Sequence, residues 1–257
     1  MKSIGFIGGG RVATILLKGF EKAGVKTGQI SVYDTSLPVL TLLEKEFPRV
    51  SVSATDPAAA AGSDLVLLAL HPPVLSGSLG EISHLIKKDA LVLSLAPKIT
   101  LQALSGALPG HTRIARMIPN AASYSCKGFN PVAFHPEAGQ AVKEDLLKLF
   151  SPLGAMPEVR EDLLEAYAMI SAMGHTYFWF QFQELLDLAI GFGMSREEAF
   201  TAVKEMLEGT METYFNAGLS YEKLTDLVPV KPMVPAEEEI RTRYRELLGG
   251  LYLKIHP

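Results

Sequence analysis

Residues 3–13 read SIGFIGGGRVA. The run 3–7 is short and apolar, the mark of a buried strand, and residues 11–23 place apolar side chains at helical spacing. Between them stands Gly8-Gly9-Gly10-Arg11-Val12-Ala13, the spacing G-x-G-x-x-A. A glycine at the first position allows a tight turn out of the strand. One at the third keeps side-chain atoms clear of the helix N-terminus, and a small residue at the sixth lets helix and sheet approach closely. Strand, loop and helix in this order predict the opening of a doubly wound α/β domain.

The pattern continues outward. Apolar runs at 29–34, 50–53, 65–70, 91–95 and 113–117 predict further strands, most of them apolar throughout, as strands covered on both faces must be. Helical patterns at 37–47, 57–61, 74–87 and 101–108 lie between them. Gly24 is placed to close the first helix, and Ser36, Asp56 and Thr100 to cap later ones. Such alternation implies parallel strands joined by right-handed crossovers. Segments 128–135 and 154–159, around a helix at 137–150, are expected to extend the sheet. After residue 160 strand signals stop, and helices are expected at 161–191, 195–217, 220–228 and 235–254. The chain is therefore read as a Rossmann-type domain, 1–158, followed by an all-α domain, 159–257. The helix at 161–191 is apolar on more than one face, through Tyr167, Ile170, Phe178, Trp179 and Leu185 among others. It is expected to be buried on several sides, in a compact bundle or between two subunits.

Composition sets the outer bounds. The 257 residues are 48% hydrophobic and 20% charged, with a net charge of −4. That balance suits a globular chain with a sizeable core and carries no basic footprint for nucleic acid. No apolar run reaches the ~18 residues of a membrane span. The N-terminus leads straight into a strand rather than a secretory signal, so a soluble, cytoplasmic protein is expected. Cys126 is the sole cysteine, which excludes an intramolecular disulfide. His111, His135 and His256 stand singly, with no second ligand at helical spacing, and no metal site is expected.

Phosphate groups placed on the free N–H groups of a helix N-terminus are the standard use of this glycine loop. The expected cofactor is NAD(P)H, held by Gly8, Gly10, Arg11 and Val12. Asp34 ends the second strand, where a carboxylate accepts hydrogen bonds from a ribose diol and repels a 2′-phosphate; this favours NADH. Loops at the carboxyl ends of parallel strands face the cofactor in such sheets. Leu70, His71 and Pro72 at one tip, Ala96 at the next, and Asn120 at the last are therefore further candidates, with Asn120 placed for the carboxamide or the substrate.

Several stretches resemble pyrroline-5-carboxylate reductases: Gly5-Phe-Ile-Gly8-x-Gly10-x-x-Ala13, Leu-Ala-Leu-His-Pro at 68–72, Arg116-Met-Ile-Pro-Asn120, and Ser94-Leu-Ala96-Pro-Lys-Ile99-Thr100, which is similar to Ser-Ile-Ala-Ala-Gly-Ile-Thr. Order and spacing agree over residues 1–215. The resemblance implies a Rossmann domain, a helical dimerisation domain, and NAD(P)H-dependent reduction of the C=N bond of 1-pyrroline-5-carboxylate in proline biosynthesis. It also implies an active site at the dimer interface. Two departures stand out. Ser171-Ala-Met-Gly174-His175-Thr176-Tyr177 replaces Ser-Gly-Ser-Gly-Pro-Ala-Tyr. Pro229-Val-Lys-Pro-Met-Val-Pro235 occupies the place of the family's Thr-Ser-Pro-Gly-Gly-Thr-Thr, so its hydroxyls and glycines are gone and three prolines remove N–H donors.

His175 falls in the segment that borders the substrate in the family. With histidine's ordinary pKa near ~6.5 it is a candidate proton donor at neutral pH. Lys231 is a candidate anchor for a substrate carboxylate. The leading reading is a reductase of a small imino or keto acid that acts as a homodimer. Alternatives are an oxidoreductase like those coupling NADP to coenzyme F420, a β-hydroxyacid dehydrogenase, or a non-catalytic NAD(P)-binding dimeric regulator. The dehydrogenase needs a lysine early in the long helix, and 161–190 contains none.

Overall fold

The computed structural model describes residues 2–256. The chain divides into two compact units: one runs to Ala172 and takes in the chain end from Tyr252, the other is Met173–Leu251. The division expected at 158/159 differs from the compact units by segment 159–172 and by the chain end from Tyr252.

In the first unit, β1 (Ile4–Ile7), β2 (Ile30–Tyr33), β3 (Val50–Ser53), β4 (Leu65–Leu68), β5 (Leu91–Ser94) and β6 (Ile114–Met117) are all parallel. After the short pair strand β7 (Gly128–Phe129), β8 (Val132–Phe134) adds an antiparallel edge, giving the order β3-β2-β1-β4-β5-β6-β8. Four strands, β1, β4, β5 and β6, are buried at every residue, as their mainly apolar runs require, with Ser94 and Arg116 the polar residues among them. The helices of this unit are α1 (Arg11–Lys22), α2 (Leu37–Glu46), α3 (Ala58–Ala61), α4 (Pro72–Ile82), α5 (Leu101–Ala107) and α6 (Gln140–Phe150). Gly24 closes α1 at φ +63, and the Thr100 hydroxyl accepts from Ala103 N at 3.1 Å to cap α5. Ser36 precedes α2 without a side-chain cap. Asp56 accepts instead from Ala58 N, one residue ahead of the helix cap at Pro57.

Only part of 128–135 joins the main sheet. Gly128–Phe129 pairs with β9 (Gly154–Ala155) as a separate two-stranded ribbon. The two backbones run so close that a Cβ on Gly154, at φ +130, would sit 2.1 Å from the Gly128 carbonyl oxygen. Pro131, which lacks an N–H, separates β7 from β8.

The single helix expected over 161–191 is broken. It consists of a 3-10 turn (Glu161–Leu163), α7 (Leu164–Tyr167), a π-helical turn (Ala168–Ala172) and, past residues 173 and 174, α8 (His175–Gly191). The cause is visible. Asn120 Nδ2 donates to the Ser171 carbonyl at 2.8 Å, withdrawing an acceptor the helix ladder would use. The Ser171 hydroxyl bonds back to Tyr167 O at 2.8 Å, and Gly174 follows as a weak helix former. The second unit continues with α9 (Arg196–Asn216), opened by a capping box between Ser195 and Glu198, then α10 (Tyr221–Asp226) and α11 (Val234–Ile255) up to Leu251. No helix among the described residues is long and apolar enough to cross a membrane.

At the amino end of β4, Asp64 clasps the start of the chain. Its Oδ2 accepts from Ser3 N at 2.9 Å and Ser3 Oγ at 3.0 Å, and Lys87 pairs with Oδ1 at 2.8 Å. The Lys87 ammonium, followed by the Ser3 donors, holds the Asp64 carboxyl down at about 2. A carboxyl depressed by folding stabilises the native state above its unfolded value of 3.8 and loses that contribution as pH falls toward about 2. The Tm advantage of the wild type over Asp64→Asn should therefore be constant at neutral pH and shrink between those two values in a thermal-melt series. An advantage independent of pH would refute the clasp.

Candidate functional site

The strand order reverses direction at β1, with β2 on one side and β4 on the other, and the crevice beyond the carboxyl ends of these strands is where open α/β sheets take ligands. Gly8 turns the chain out of β1 at φ +106, and its N–H donates to Tyr33 O at 2.8 Å. A Cβ there would lie 2.5 Å from Ala69 O. Gly10 is the residue before α1, in extended conformation, and no side chain caps the helix. A Cβ on Gly10 would meet nothing within 4 Å. The amino end of α1 is thus left open, with Arg11 exposed as its first residue and Ala13 fully buried against the sheet. Val12 packs at the margin of the core. Uncapped helix N–H groups beside open space and an exposed guanidinium fit a pyrophosphate.

Gly9 has a different task. Its Cβ would press on Leu43 Cδ1 at 2.8 Å, so this glycine admits α2 rather than a ligand. Gly5 is needed in the same sense: a Cβ would fall 1.8 Å from Ala60 O, where α3 crosses the strand.

Asp34 stands at the tip of β2. Its Oδ2 accepts from Gly9 N at 2.8 Å and its Oδ1 from Ser36 N at 2.8 Å. The carboxylate is therefore locked to the glycine loop, facing the same crevice. At the tip of β4, Leu70 comes within 3.0 Å of a Cβ on Gly8, exposed His71 precedes α4, and Pro72 begins that helix. Ala96 is buried past the end of β5. Asn120, past β6, is also buried: its Oδ1 accepts from Ala122 N at 2.9 Å while Nδ2 donates to Ser171 O. Its own N–H donates to Asn130 Oδ1 at 3.0 Å. These residues all line the carboxyl rim of one sheet.

His175 and Lys231 belong to the second unit. His175 opens α8, and its ring stacks on Trp179 at 5.6 Å between centroids. Nearby, Tyr177 meets Tyr244 edge to face at 6.1 Å; burial, then the neighbouring phenol, push the Tyr177 hydroxyl above its ordinary pKa. Lys231 lines an open groove of about 790 Å³ with Leu224, Val228, Met233, Arg241 and Tyr244. Its walls are largely apolar. Arg241 is paired with Glu237 and bonded to the Tyr221 hydroxyl at 3.0 Å.

One cluster was not singled out from the sequence. Arg116, 1% exposed in β6, donates through Nη1 to Glu161 Oε1 at 2.8 Å and through Nη2 to Glu165 Oε1 at 2.6 Å. The signal was an arginine inside the otherwise apolar strand Ile-Ala-Arg-Met, with two glutamates four residues apart at one end of a helix. The same carboxylates hold the next loop: Glu161 accepts from Leu101 N at 2.6 Å, and Glu165 from Lys98 N at 3.1 Å. Lys98 occupies the left-handed region at φ +68, where the similar family segment has glycine. Among the described residues no group of three or more metal-ligating side chains occurs.

Comparison with known proteins agrees with this geometry. The family described as NADP oxidoreductase coenzyme F420-dependent matches residues 3–98, the stretch from β1 to the loop after β5. A pyrroline-5-carboxylate reductase of Methanosarcina acetivorans is 29% identical over 231 residues, covering 88% of this chain and 84% of the relative. That of Escherichia coli is 27% identical over 228 residues, with the same coverage of each. Among solved structures, Plasmodium falciparum pyrroline carboxylate reductase with NADP bound superposes with a TM-score of 0.76 at 18% identity, over 99% of this chain and 94% of that one. The similarity runs on beyond residues 3–98 into the helical half: over 88% of its length the chain is similar to pyrroline-5-carboxylate reductases, and it shares their fold.

Proposed function

We propose that this chain is an NAD(P)H-dependent reductase of the C=N bond in a small cyclic imino acid, acting in the cytoplasm as a homodimer. The observation that carries the reading is the uncapped amino end of α1 at Gly10, open in front of a switch point in the sheet. The relatives, named as pyrroline-5-carboxylate reductases, supply the reaction type.

When bound, the reduced nicotinamide supplies a hydride to the imine carbon. The chain's own groups do the rest. Gly8, Gly10, Arg11 and Val12 seat the phosphates. Asp34 takes the adenosine ribose and, as a fixed negative charge, favours NADH over a 2′-phosphorylated cofactor. Leu70, His71, Pro72 and Ala96 form the rim, and Asn120 fixes the loop at its far end. His175 holds a proton for the substrate nitrogen, and Lys231 anchors the carboxylate in place of the amides that Pro229, Pro232 and Pro235 no longer offer. Such a loop favours an imino acid other than 1-pyrroline-5-carboxylate. The homodimer forms through the helical unit: no residue of α8 is buried within one chain, with Trp179 54% and Phe180 68% exposed, and apolar side chains of this size are normally covered.

The family match over residues 3–98 fits the F420-coupled alternative equally, but it stops before the helical half, where the reductase relatives continue. Steady-state oxidation of NADH and NADPH against a panel of cyclic imino acids and 2-keto acids tests the proposal. Turnover of a cyclic imino acid, with NADH the better donor, is expected. Dinucleotide binding without turnover of any member would instead mark a regulator.

A further inference from the structure

The turn after β5 is held in an unfavourable shape by a residue far along the chain. Lys98 sits at φ +68, a conformation that disfavours a side chain by ~1–2 kcal/mol relative to the right-handed one. Its N–H points to Glu165 Oε1, whose side chain is 0% exposed. That oxygen also receives Arg116 Nη2, so one atom serves the arginine and the turn together. A plain counter-charge for Arg116 needs no bond to the Lys98 amide, and Glu161 already supplies Arg116 with a carboxylate. Ala96, two residues before Lys98, is the rim residue whose position this turn sets.

We propose that Glu165 is a positioning residue for the dinucleotide: by accepting the Lys98 N–H it holds the turn after β5 left-handed and keeps Ala96 in place at the cofactor rim. This rests on the reading that the rim takes a dinucleotide. Glu165 touches neither the cofactor nor the substrate in this scheme. It acts through the backbone of residues 96–98.

The test uses the full chain and fluorescence titration with NADH and NADPH, alongside KM and kcat. Glu165→Gln leaves a weaker, neutral acceptor. Glu165→Asp keeps the charge beside Arg116 but shortens the reach to Lys98, and it serves should the neutral variant fail to fold. Each should weaken dinucleotide binding by about tenfold, about 1.4 kcal/mol, and raise the KM for the dinucleotide more than it lowers kcat. Adding Lys98→Gly should restore most of the loss, because glycine adopts φ +68 without support. Binding as tight as the wild type in Glu165→Asp, or no recovery on adding Lys98→Gly, would reduce Glu165 to a partner of Arg116 and overturn the proposal. A wild-type chain that binds neither dinucleotide would overturn the functional reading itself, and this inference with it.

Discussion

Gly10→Val should abolish dinucleotide binding while leaving the fold intact. The backbone at Gly10 is extended, φ −71 and ψ −163, so valine fits without strain. Its side chain enters space in which a Cβ meets no protein atom within 4 Å. That space adjoins the residue before α1, where the proposed function seats the phosphates. Losing two charge-assisted hydrogen bonds of about 1.5 kcal/mol each raises the dissociation constant by roughly hundredfold or more. The helix start suffers less: exchanging glycine for valine at this cap position costs about 1 kcal/mol, a fall in Tm of about 2–4 °C. Gly9→Ala, one residue earlier, should show the reverse. Its Cβ lands 2.8 Å from Leu43 Cδ1 and 3.2 Å from Val32 Cγ1, so the loss is of stability. Titration and thermal melts on the two variants separate ligand space from packing space. Undiminished dinucleotide affinity in Gly10→Val would remove the loop from the binding site.

The sheet was legible in the sequence because burial on both faces makes most of its strands largely apolar, and the intervening helices carry their own stop and start signals. The glycine loop was legible because backbone constraints at Gly8 and Gly10 are local. What escaped the sequence depends on partners distant along the chain. The break before α8 follows from Asn120, 51 residues upstream of the carbonyl it takes. Arg116 advertises itself as a charge in an apolar strand, but its acceptors lie 45 and 49 residues away, and no spacing rule connects them. Gly9, at the freely variable position of the motif, is fixed by α2 packing that the motif does not describe. His175 and Lys231 rest on departures from a family pattern, and the groove beside Lys231 adds a cationic, apolar setting for one of them.

Arg116→Leu should be the most destabilising single change in the first unit. The guanidinium is 1% exposed, and leucine would leave Glu165, wholly buried, as an uncompensated carboxylate. Breaking one partner out of a buried ion pair costs about 3–5 kcal/mol, which for a unit of this size lowers Tm by about 10 °C. Arg116→Lys should fall between the wild type and leucine, since a single ammonium cannot reproduce the two-pronged contact to Glu161 and Glu165. Removing the whole pair is a different experiment. In Arg116→Met combined with Glu165→Leu no buried charge remains on either side, and replacing a buried pair by apolar residues is often close to neutral. Glu161 is 31% exposed and regains water. The double variant should therefore recover much of the lost Tm. It should not recover all of it, because the Lys98 N–H then has no acceptor and its left-handed turn no support. A double variant no more stable than Arg116→Leu would mean that shape, and not charge, makes this cluster matter.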